Sequence, residues 1–328
     1  MSIPWVEKYR PQRVEDMIAH ESIRSAVQSL VRQDRLPHLI FHGKPGTGKT
    51  TLARALVREL FKDAVPSRVL ELNASDDTGV DIIRTRIKAF VSTTSLMASL
   101  SGSTPTGSKA LKVVILDECD HMSNVAQAAL RRLMEKTVKI ARFILLCNYP
   151  DRLLPALQSR CCSFRFLPIP RASCVSMLQT ICEVEELLIA PEALLVVHRL
   201  TDGDMRQAIN LLQSLHLFSN KKSDSQIITV PDIYQLAAKP DPEAGVALLE
   251  VSSFGEKYSQ IVTHISQGSS LEDIITCVFD ALMNIPMDSG RKARFIKELG
   301  IIEEALAIGA SLESQISGLA SCLGQGLP

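Results

Sequence analysis

The chain has 328 residues, enough for two or three domains, and 46% of them are hydrophobic, so it can bury a substantial core. Its formal net charge is zero, which excludes nucleic-acid binding through overall charge and leaves only local basic patches for that purpose. The eight cysteines have no C-x-x-C pair or metal-ligand spacing, no stretch is long enough for a membrane span, and no signal peptide opens the chain, so we expect a soluble intracellular protein.

The segment from Ile3 to Gln12 contains two prolines and the only tryptophan of the chain. The prolines exclude a regular helix through the whole segment. The residues alone leave two interpretations open: a terminal segment that docks Trp5 and Tyr9 on the core, or an arm that contacts a purine base. The next stretch, Ser22 to Gln33, has its apolar residues on one face and predicts an amphipathic helix.

Residues 43–50 match the phosphate-binding pattern G-x-x-x-x-G-K-[ST]. The loop consists of Gly43, Lys44, Pro45, Gly46, Thr47, Gly48, Lys49 and Thr50. Its glycines permit a tight turn that points several backbone N–H groups at one anion. Lys49 is expected to reach the β- and γ-phosphates of a nucleotide, and Thr50 to place its hydroxyl on Mg²⁺. An apolar run at 39–42 predicts a buried strand before the loop, and 50–61 predicts a helix after it, as the mechanism requires.

Three further apolar runs predict strands, at 69–72, 113–116 and 143–147. Amphipathic helices are predicted at 81–91 and 125–136. Strands that alternate with helices predict an α/β fold with a parallel sheet in three layers, and such sheets bind ligands at the carboxyl ends of their strands. We therefore expect the polar residues that follow the strands to gather at one edge of the sheet. These residues are Gly43, Asn73, Asp117 and Asn148.

The acidic pair Asp117 and Glu118 supplies the second half of a nucleotide-hydrolysis site. Asp117 is expected to hold Mg²⁺ and Glu118 to polarise the attacking water, because hydrolysis depends mostly on positioning and charge stabilisation. Asn148 fits a residue that hydrogen-bonds the water or the γ-phosphate, although an asparagine after a strand is more often a turn former. The residues therefore predict an ATPase that uses ATP and Mg²⁺.

Beyond Phe166 the pattern becomes helical, and the clearest helix is predicted from Asp204 to Phe218. From Pro231 onward we predict only helices, separated at 240–242, Gly268, Pro286 and Gly300. The predicted domains are an ATPase domain at 1–167, a small helical lid domain at 168–230 and an all-helical C-terminal domain at 231–328.

Eight motifs occur in an order that resembles one protein family. They are Trp5-Val6-Glu7-Lys8-Tyr9-Arg10-Pro11, the phosphate loop, Glu71-Leu72-Asn73-Ala74-Ser75-Asp76, Leu116-Asp117-Glu118, Ala129-Leu130-Arg131-Arg132-Leu133-Met134-Glu135, Cys147-Asn148, Ser159-Arg160-Cys161 and Gly203-Asp204-Met205-Arg206. Together they resemble a small subunit of replication factor C, the AAA+ sliding-clamp loader. The Ser-Arg-Cys triplet is the most discriminating motif, because it is typical of clamp loaders among AAA+ ATPases. The detailed match spans about Pro4 to Phe218, and the C-terminal domain fits a collar domain by size and helicity alone.

The resemblance implies that the N-terminal segment belongs to the nucleotide site. Val6, Arg10 and a residue near Ile18 would line the adenine pocket, which favours the arm over the docked terminal segment. Thr51, directly after the phosphate loop, completes the predicted nucleotide-binding set.

The resemblance also implies roles for four residues around the γ-phosphate and for one arginine. Asn148 would be the first sensor and Arg206 the second, while Asn73 would hold Glu118 away from water until DNA binds. Arg160 would be an arginine finger that completes the ATP site of the neighbouring subunit, because a guanidinium is always charged and can fork onto phosphate oxygens. Without the resemblance, Arg160 and Arg206 would be interpreted as surface arginines.

A finger that acts in trans implies an ATPase that is weak alone and needs partner subunits. The family forms a five-subunit spiral of related chains held together by a collar. ATP closes the spiral on a ring-shaped sliding clamp of the PCNA type, and primer–template DNA then triggers hydrolysis and release of the loaded clamp. We expect a nuclear protein if the chain is eukaryotic and a cytoplasmic one otherwise.

Arg84 and Lys88, one helical turn apart, are the candidates for tracking DNA phosphates, with a solvated helix face as the alternative. Thr78 and Gly79, at the start of the same helix, could offer a hydroxyl and an N–H to phosphate. Arg131 and Arg132 are expected to serve a subunit interface or solvent.

Two positions depart from the family pattern: Lys44 stands where proline is usual in the phosphate loop, and Cys119 stands where alanine is common. The string Asp-Glu-Cys-Asp also occurs in two-domain RNA helicases, but these need a second sheet domain. A hexameric AAA+ DNA motor, such as a Holliday-junction translocase, would share the sensors but lack the Ser-Arg-Cys string. A non-hydrolysing scaffold subunit would have lost Lys49 or Glu118, and both are present.

Overall fold

The computed structural model describes residues 3–33, 36–75, 85–92, 111–219, 227–251 and 253–324. By its internal contacts the chain divides into two compact units. The first is Met1–Leu187 with Val197–Gln213, and the second is Leu188–Val196 with Ser214–Pro328. The finer division into three domains stays a prediction.

The first unit contains the strands and the helices around them. Its strands are β1 His38–Gly43, β2 Val69–Asn73, β3 Lys112–Asp117, β4 Ala141–Cys147 and β5 Cys161–Phe166. The helices before the unit boundary are α1 Trp5–Lys8, α2 Glu21–Arg32, α3 Lys49–Phe61, α4 Val65–Arg68, α5 at 85–92, α6 Asn124–Thr137, α7 Pro155–Gln158 and α8 Arg171–Val184. Helices α9 Pro191–Leu200 and α10 Met205–Ser219 contribute residues to both units.

In the described part of the chain, five strands form one sheet in the order β2-β3-β4-β1-β5. Every neighbouring pair is parallel, so all the strands end at the same edge. The register places Asn73 beside Asp117 and His42 beside Cys147. The sheet therefore brings the predicted polar residues to one edge, and the predicted α/β fold with a parallel sheet is confirmed.

The two faces of the sheet carry separate apolar clusters. Along β3, Val113 and Ile115 belong to the cluster that contains residues of α2 and α3, whereas Val114 and Leu116 belong to the cluster with α5 and α6. All four side chains are 0% exposed. Each such side chain contributes about 1.5–3 kcal/mol by burial, so a strand apolar on both faces needs helices on both sides of it.

The second unit is helical. After the part of α10 that it includes, its helices are α11 Val230–Ala237, α12 Pro242–Glu250, α13 Phe254–Ser266, α14 Leu271–Asn284, α15 Ser289–Ala307 and α16 Leu312–Gly324. The last five of these surround one apolar core. No helix in the described ranges is both long enough and apolar enough to cross a membrane.

The predicted break at Gly300 is wrong, because this residue lies within α15. A glycine costs a helix about 1 kcal/mol relative to alanine, which favourable packing can offset. Here Phe295, Leu299 and Ile302 are buried along the same helix. The predicted breaks at Gly268 and Pro286 fall between helices, and the break at 240–242 falls at the start of α12, whose first residue is Pro242.

His38, at the start of β1, is a titratable residue inside the first unit. Its Nδ1 accepts a hydrogen bond from the Phe143 N–H at 3.2 Å. Burial, helped by the nearby charge of Arg142, lowers its pKa to about 4. An unfolded chain binds this proton near pH 6.5 and the folded chain does not. Folding stability is therefore expected to fall by up to about 3 kcal/mol as the pH drops from about 6.5 to 4, and to be fully present above that window.

Urea unfolding midpoints measured across this pH range test the prediction. The variant His38→Asn keeps an acceptor but has no proton to bind, so its stability is expected to depend less on pH. The exposed His121→Asn variant is the matched control and should follow the wild type. Equal pH dependence in wild type and His38→Asn would contradict the role assigned to His38.

Candidate active site

The phosphate loop joins β1 to α3, and all three of its glycines, Gly43, Gly46 and Gly48, have positive φ angles. Gly46 and Gly48 have φ angles of 67° and 98°, in the region that favours glycine. A Cβ on Gly46 would lie 1.7 Å from Oδ1 of Asp204, so a side chain at position 46 would have to displace the Asp204 carboxylate. The loop is thus formed against the segment that precedes α10.

Lys49, the first residue of α3, holds the loop together. Its Nζ donates hydrogen bonds of 2.8 Å to the carbonyl oxygens of Gly43 and Lys44 and to Oδ1 of Asn148. The residue is 8% exposed, and this burial lowers its pKa, although the negative charge of Asp117 acts in the opposite direction. Two residues that were predicted separately for the site, Lys49 and Asn148, are therefore in direct contact.

Thr50 and Asp117 form the oxygen pair expected of a magnesium site. The Thr50 hydroxyl donates a 2.9 Å hydrogen bond to Oδ2 of Asp117. Mg²⁺ prefers oxygen ligands and commonly takes only one or two from the protein, with water and phosphate oxygens for the rest. No group of three or more His, Cys, Asp or Glu residues that could hold a metal occurs in the described ranges. The donor set at Thr50 and Asp117 fits Mg²⁺ bound together with a nucleotide.

Glu118 follows directly at the end of β3. Its backbone φ angle is 54°, which is uncommon for a residue other than glycine. Its N–H donates a hydrogen bond to Oδ1 of Asp117 at 2.9 Å. Asn73 lies beside Asp117 in the register of β2 and β3. The Asn73 Oδ1 accepts hydrogen bonds from the N–H and the hydroxyl of Ser75. The predicted partners Asn73 and Glu118 thus stand at adjacent strand ends.

A cavity of about 250 Å³ opens above these groups. Most of the predicted nucleotide-binding residues line it: Val6, Arg10, Ile18, Pro45, Gly46, Thr47, Gly48, Lys49, Thr50, Thr51, Asn148 and Arg206, together with Asp117 and Glu118. Gly43 and Lys44 are not among the lining residues, and they act through the carbonyl oxygens that Lys49 contacts. The Lys44 side chain instead forms a 2.6 Å ion pair with Asp202, in which both side chains are mostly exposed.

The cavity also has apolar walls that sequence reasoning missed. They come from Tyr9, Met17, Ile169, Met177, Met205 and Ile209. These residues lie on segments far apart in the chain, and methionine and isoleucine at helical spacing are ordinary core residues. Only two of the quoted motifs carried a signal: Trp5–Pro11, which contains Tyr9, and Gly203–Arg206, which contains Met205.

Asp120 is a further residue to which the sequence analysis gave no role. It is 6% exposed, and its Oδ2 accepts hydrogen bonds from the N–H groups of Asn148 and Tyr149, both at 3.2 Å. Within the described residues its Oδ1 has no hydrogen-bond partner. Asp120 therefore fixes the backbone that carries Asn148. Its position as the last acidic residue of Asp-Glu-Cys-Asp was the available signal.

Arg206 lies in the first turn of α10 and lines the cavity. Asp204 caps this helix, because its Oδ1 accepts the N–H groups of Arg206 at 2.8 Å and Gln207 at 3.1 Å. The same carboxylate abuts Gly46 of the phosphate loop. The start of α10, and with it Arg206, is thereby positioned against the loop.

Arg160 lies at the other end of the sheet. The next residue, Cys161, pairs with His38 at the start of β1, whereas the phosphate loop follows the end of β1. At about 3.3 Å per strand residue this separation is about 20 Å. Arg160 is held by Glu135, at 2.7 Å, and by the carbonyl oxygen of Ala156, also at 2.7 Å. It does not line the cavity of its own chain.

The predicted DNA-contacting residues are only partly within the described ranges. Thr78, Gly79 and Arg84 lie outside them. Lys88 on α5 lines a second cavity together with Arg132 and Lys136 of α6. Three basic side chains from two helices thus line one cavity, and Arg132, which was expected to serve a subunit interface or solvent, is one of them.

A phosphate loop at the end of β1, an acidic pair at the end of β3, which β4 separates from β1 in the sheet, and an arginine at the start of a helix after the sheet together define an AAA+ type ATPase. Family models agree. Residues 39–169 match the ATPase family associated with various cellular activities (AAA), and residues 243–322 match the replication factor C C-terminal domain.

Curated relatives match nearly the whole chain. A probable replication factor C subunit 5 of Dictyostelium discoideum is 39% identical, over 98% of this chain and 90% of the relative. Replication factor C subunit 5 of Homo sapiens is 37% identical, over 97% and 90%. The replication factor C small subunit of Methanococcus maripaludis is 36% identical, over 99% of both chains. The chain belongs to the replication factor C family of clamp-loader ATPase subunits.

Solved structures show the same fold. The Holliday junction branch migration motor RuvB of Thermotoga maritima has a TM-score of 0.55, covering 82% of this chain and 91% of that one. At 14% identity this likeness concerns the fold alone. The hexameric-motor alternative is therefore not favoured over the replication factor C relatives. The helicase alternative is not favoured either, because the described residues after Pro168 add no strand to a second sheet.

Proposed function

We propose that the chain is one ATPase subunit of a five-subunit replication factor C complex that opens a PCNA-type sliding clamp and loads it on primer–template DNA. The position of Arg160 carries the proposal. The chain supplies a phosphate loop, an acidic pair and two sensor residues to its own cavity, but its candidate finger lies about 20 Å away at the far end of β1. A complete ATP site then needs the arginine of a neighbouring subunit.

In this proposal the residues of the cavity divide the work of hydrolysis. Lys49 and Arg206 bind the phosphates, and Asn148 orients the attacking water or the γ-phosphate. Glu118 accepts the proton of that water on its carboxylate. Mg²⁺ held by Thr50 and Asp117 would neutralise charge on the β- and γ-phosphates.

The state of Glu118 would depend on DNA. Asn73, at the adjacent strand end, would hold the Glu118 carboxylate away from the water until DNA reaches the complex. Hydrolysis would then follow loading rather than precede it. The complex would act in the nucleus of a eukaryotic cell, or in the cytoplasm of a cell without one.

The basic cavity between α5 and α6 supports a DNA-phosphate contact, and it changes which residues we expect to make it. Replacing Lys88 or Arg132 by alanine should weaken binding of primer–template DNA to the assembled complex equally for all sequences. Each replacement should also reduce the slope of log K against log salt by about 0.9 for each phosphate that the protein no longer neutralises. The measurement is DNA affinity at a series of salt concentrations.

Lys297→Ala, which removes an exposed positive charge from α15, is the control for a change in net charge alone. If Lys88→Ala and Lys297→Ala left the salt slope equally unchanged, the solvated-face interpretation of Lys88 would be correct instead.

The proposed complex is tested by purifying a tagged copy of the chain from its own cells and measuring the native mass and subunit composition of the assembly that co-purifies with it. We expect five related AAA+ chains, present once each or nearly so. A ring of six identical chains would overturn the proposal in favour of a DNA motor. Clamp loading is then measured directly, as ATP-dependent transfer of labelled PCNA-type clamp onto primer–template DNA.

A further inference from the structure

The N-terminal arm, residues 3–12, forms one wall of the cavity in the first unit. It contributes Val6, Tyr9, Arg10 and Pro11 to the lining. Its helix α1 has only four residues, so the arm cannot hold its position by its own hydrogen bonds. Contacts to other segments must place it.

Those contacts fasten the arm on both sides of the cavity. On one side, Nε of Arg10 donates to the Thr51 hydroxyl on α3, at 3.4 Å. On the other side, the Trp5 N–H donates to Oε1 of Gln213 on α10, at 3.1 Å. Each of these is a single hydrogen bond to a neutral acceptor.

Glu185 makes the stronger attachment. It is the residue directly after α8, and its Oε1 accepts hydrogen bonds from the Tyr9 hydroxyl at 2.5 Å and from Nζ of Lys8 at 2.7 Å. The Glu185 side chain is 16% exposed, so the charge-assisted contact is partly shielded from water. Burial, and then the hydrogen bond to Glu185, raises the pKa of Tyr9, so its hydroxyl keeps the proton that it donates.

Helix α8, which ends just before Glu185, also lines the cavity. Met177 on α8 is one of its apolar wall residues. Glu185 follows Met177 by eight positions, which is about 12 Å along the helix axis. The arm and α8 are therefore two walls of one cavity, and Glu185 is the charged group that joins them.

We propose that Glu185 is a positioning residue of the nucleotide site, which holds the arm in its binding conformation before the nucleotide arrives. The proposal rests on the proposed binding of ATP in this cavity. Without Glu185 the arm has to be ordered when ATP binds, and that ordering reduces the apparent affinity. The maximal rate should change little, because the groups that act on the phosphates, Lys49 and Glu118, do not touch Glu185.

The only tryptophan of the chain reports the position of the arm. Trp5 is 7% exposed, and its ring meets the Tyr9 ring edge-on, with centroids 6.3 Å apart. Release of the arm would expose the indole to water and shift its emission to longer wavelength. The experiment measures this emission and the Kd for ATP with Mg²⁺ in the full-length chain, and kcat and KM in the assembled complex.

We expect Glu185→Ala to shift the emission to the red without nucleotide, to raise Kd and KM for ATP roughly tenfold and to leave kcat within about twofold. Saturating ATP should reverse most of the red shift. Glu185→Gln still offers an oxygen to Tyr9 and should lie between Glu185→Ala and the wild type. Glu183→Ala removes an exposed carboxylate from the same end of α8 and should match the wild type.

Three results would overturn the proposal. Wild-type emission and affinity in Glu185→Ala would show that Glu185 does not hold the arm. A loss of kcat as large as the rise in KM would show a general structural defect. A wild-type chain that binds no ATP would overturn the proposed function itself, and this result is distinguishable because it appears before any substitution is made. Tyr9→Phe removes only the hydroxyl, so it provides the same comparison if Glu185→Ala does not fold.

Discussion

Replacing Arg160 with alanine is expected to slow ATP hydrolysis at the neighbouring subunit's site by roughly 10³-fold, while this chain binds ATP as before. A guanidinium at the γ-phosphate stabilises the negative charge of the transition state, and the methyl group of alanine cannot replace it. In the proposed assembly the effect is expected at the neighbour's site, because Arg160 lies at the amino end of the sheet and the phosphate loop of the same chain lies at the carboxyl end.

The measurement is phosphate release by the assembled complex before steady state, with binding of labelled ATP to this chain followed in parallel. The total rate of ATP hydrolysis by the complex should fall only by the fraction that this one site contributes. Arg160→Lys keeps the charge but lacks the planar fork whose two nitrogens contact Glu135 and the Ala156 carbonyl oxygen, so it should restore activity only in part. Arg165→Ala, at an exposed position on β5, the strand that follows Arg160, is the matched control. If Arg160→Ala weakened ATP binding by its own chain and spared the other sites, the trans role would be wrong.

Replacing Lys49 with alanine is expected to weaken ATP binding by this chain by roughly 10²-fold or more, because charge-assisted hydrogen bonds to phosphate contribute about 1.5–3 kcal/mol each. The substitution also removes the donor from three acceptors, the carbonyl oxygens of Gly43 and Lys44 and Oδ1 of Asn148. Lys49→Met retains most of the buried volume, so it separates loss of charge from loss of packing.

Calorimetric titration with ATP and Mg²⁺ measures the affinity, and thermal unfolding shows whether the variants remain folded. Lys44→Ala is the control within the same loop. Its side chain is 62% exposed and pairs with Asp202 outside the cavity, so ATP affinity should be nearly unchanged. Unchanged ATP binding and turnover in Lys49→Ala within the assembled complex would contradict the assignment of the phosphate loop.

The edge of the sheet that carries the phosphate loop could be predicted, because the sequence patterns that indicate it are local. A strand with buried residues on both faces has a continuous apolar run in its sequence, and β1, β3 and β4 each have one. The polar residues at their ends then share an edge by the geometry of parallel strands. Lys49, Asp117 and Asn148 could therefore be placed together from the sequence.

Strand β5 could not be predicted in the same way. It pairs only with β1 at the edge of the sheet, and most of its residues are exposed or half-buried. Its sequence, with two cysteines, a serine and Arg165, forms no apolar run. The pairing with β1 decides its structure, and pairing over such a distance leaves no periodic pattern.

The apolar residues of the cavity could not be predicted from local sequence patterns either. Met17, Met177 and Ile209 come from three segments that meet only in the folded unit. The contact of Glu185 with Tyr9 joins residues separated by 176 positions. By contrast, the resemblance to a known family did indicate Val6 and Arg10, since it rests on the motif that contains them.

The placement of Arg160 and the phosphate loop at opposite ends of the sheet gives the chain a polarity: in the proposed assembly it donates to one neighbour and receives from the other. Such head-to-tail contacts either close on themselves or leave two unlike ends. A closed ring has as many complete sites as members. An open spiral has one fewer, because the phosphate loop of one terminal member receives no finger. The catalytic capacity of a spiral loader would therefore depend on the order of its members, and a subunit at the receiving terminus could bind ATP without being able to turn it over efficiently.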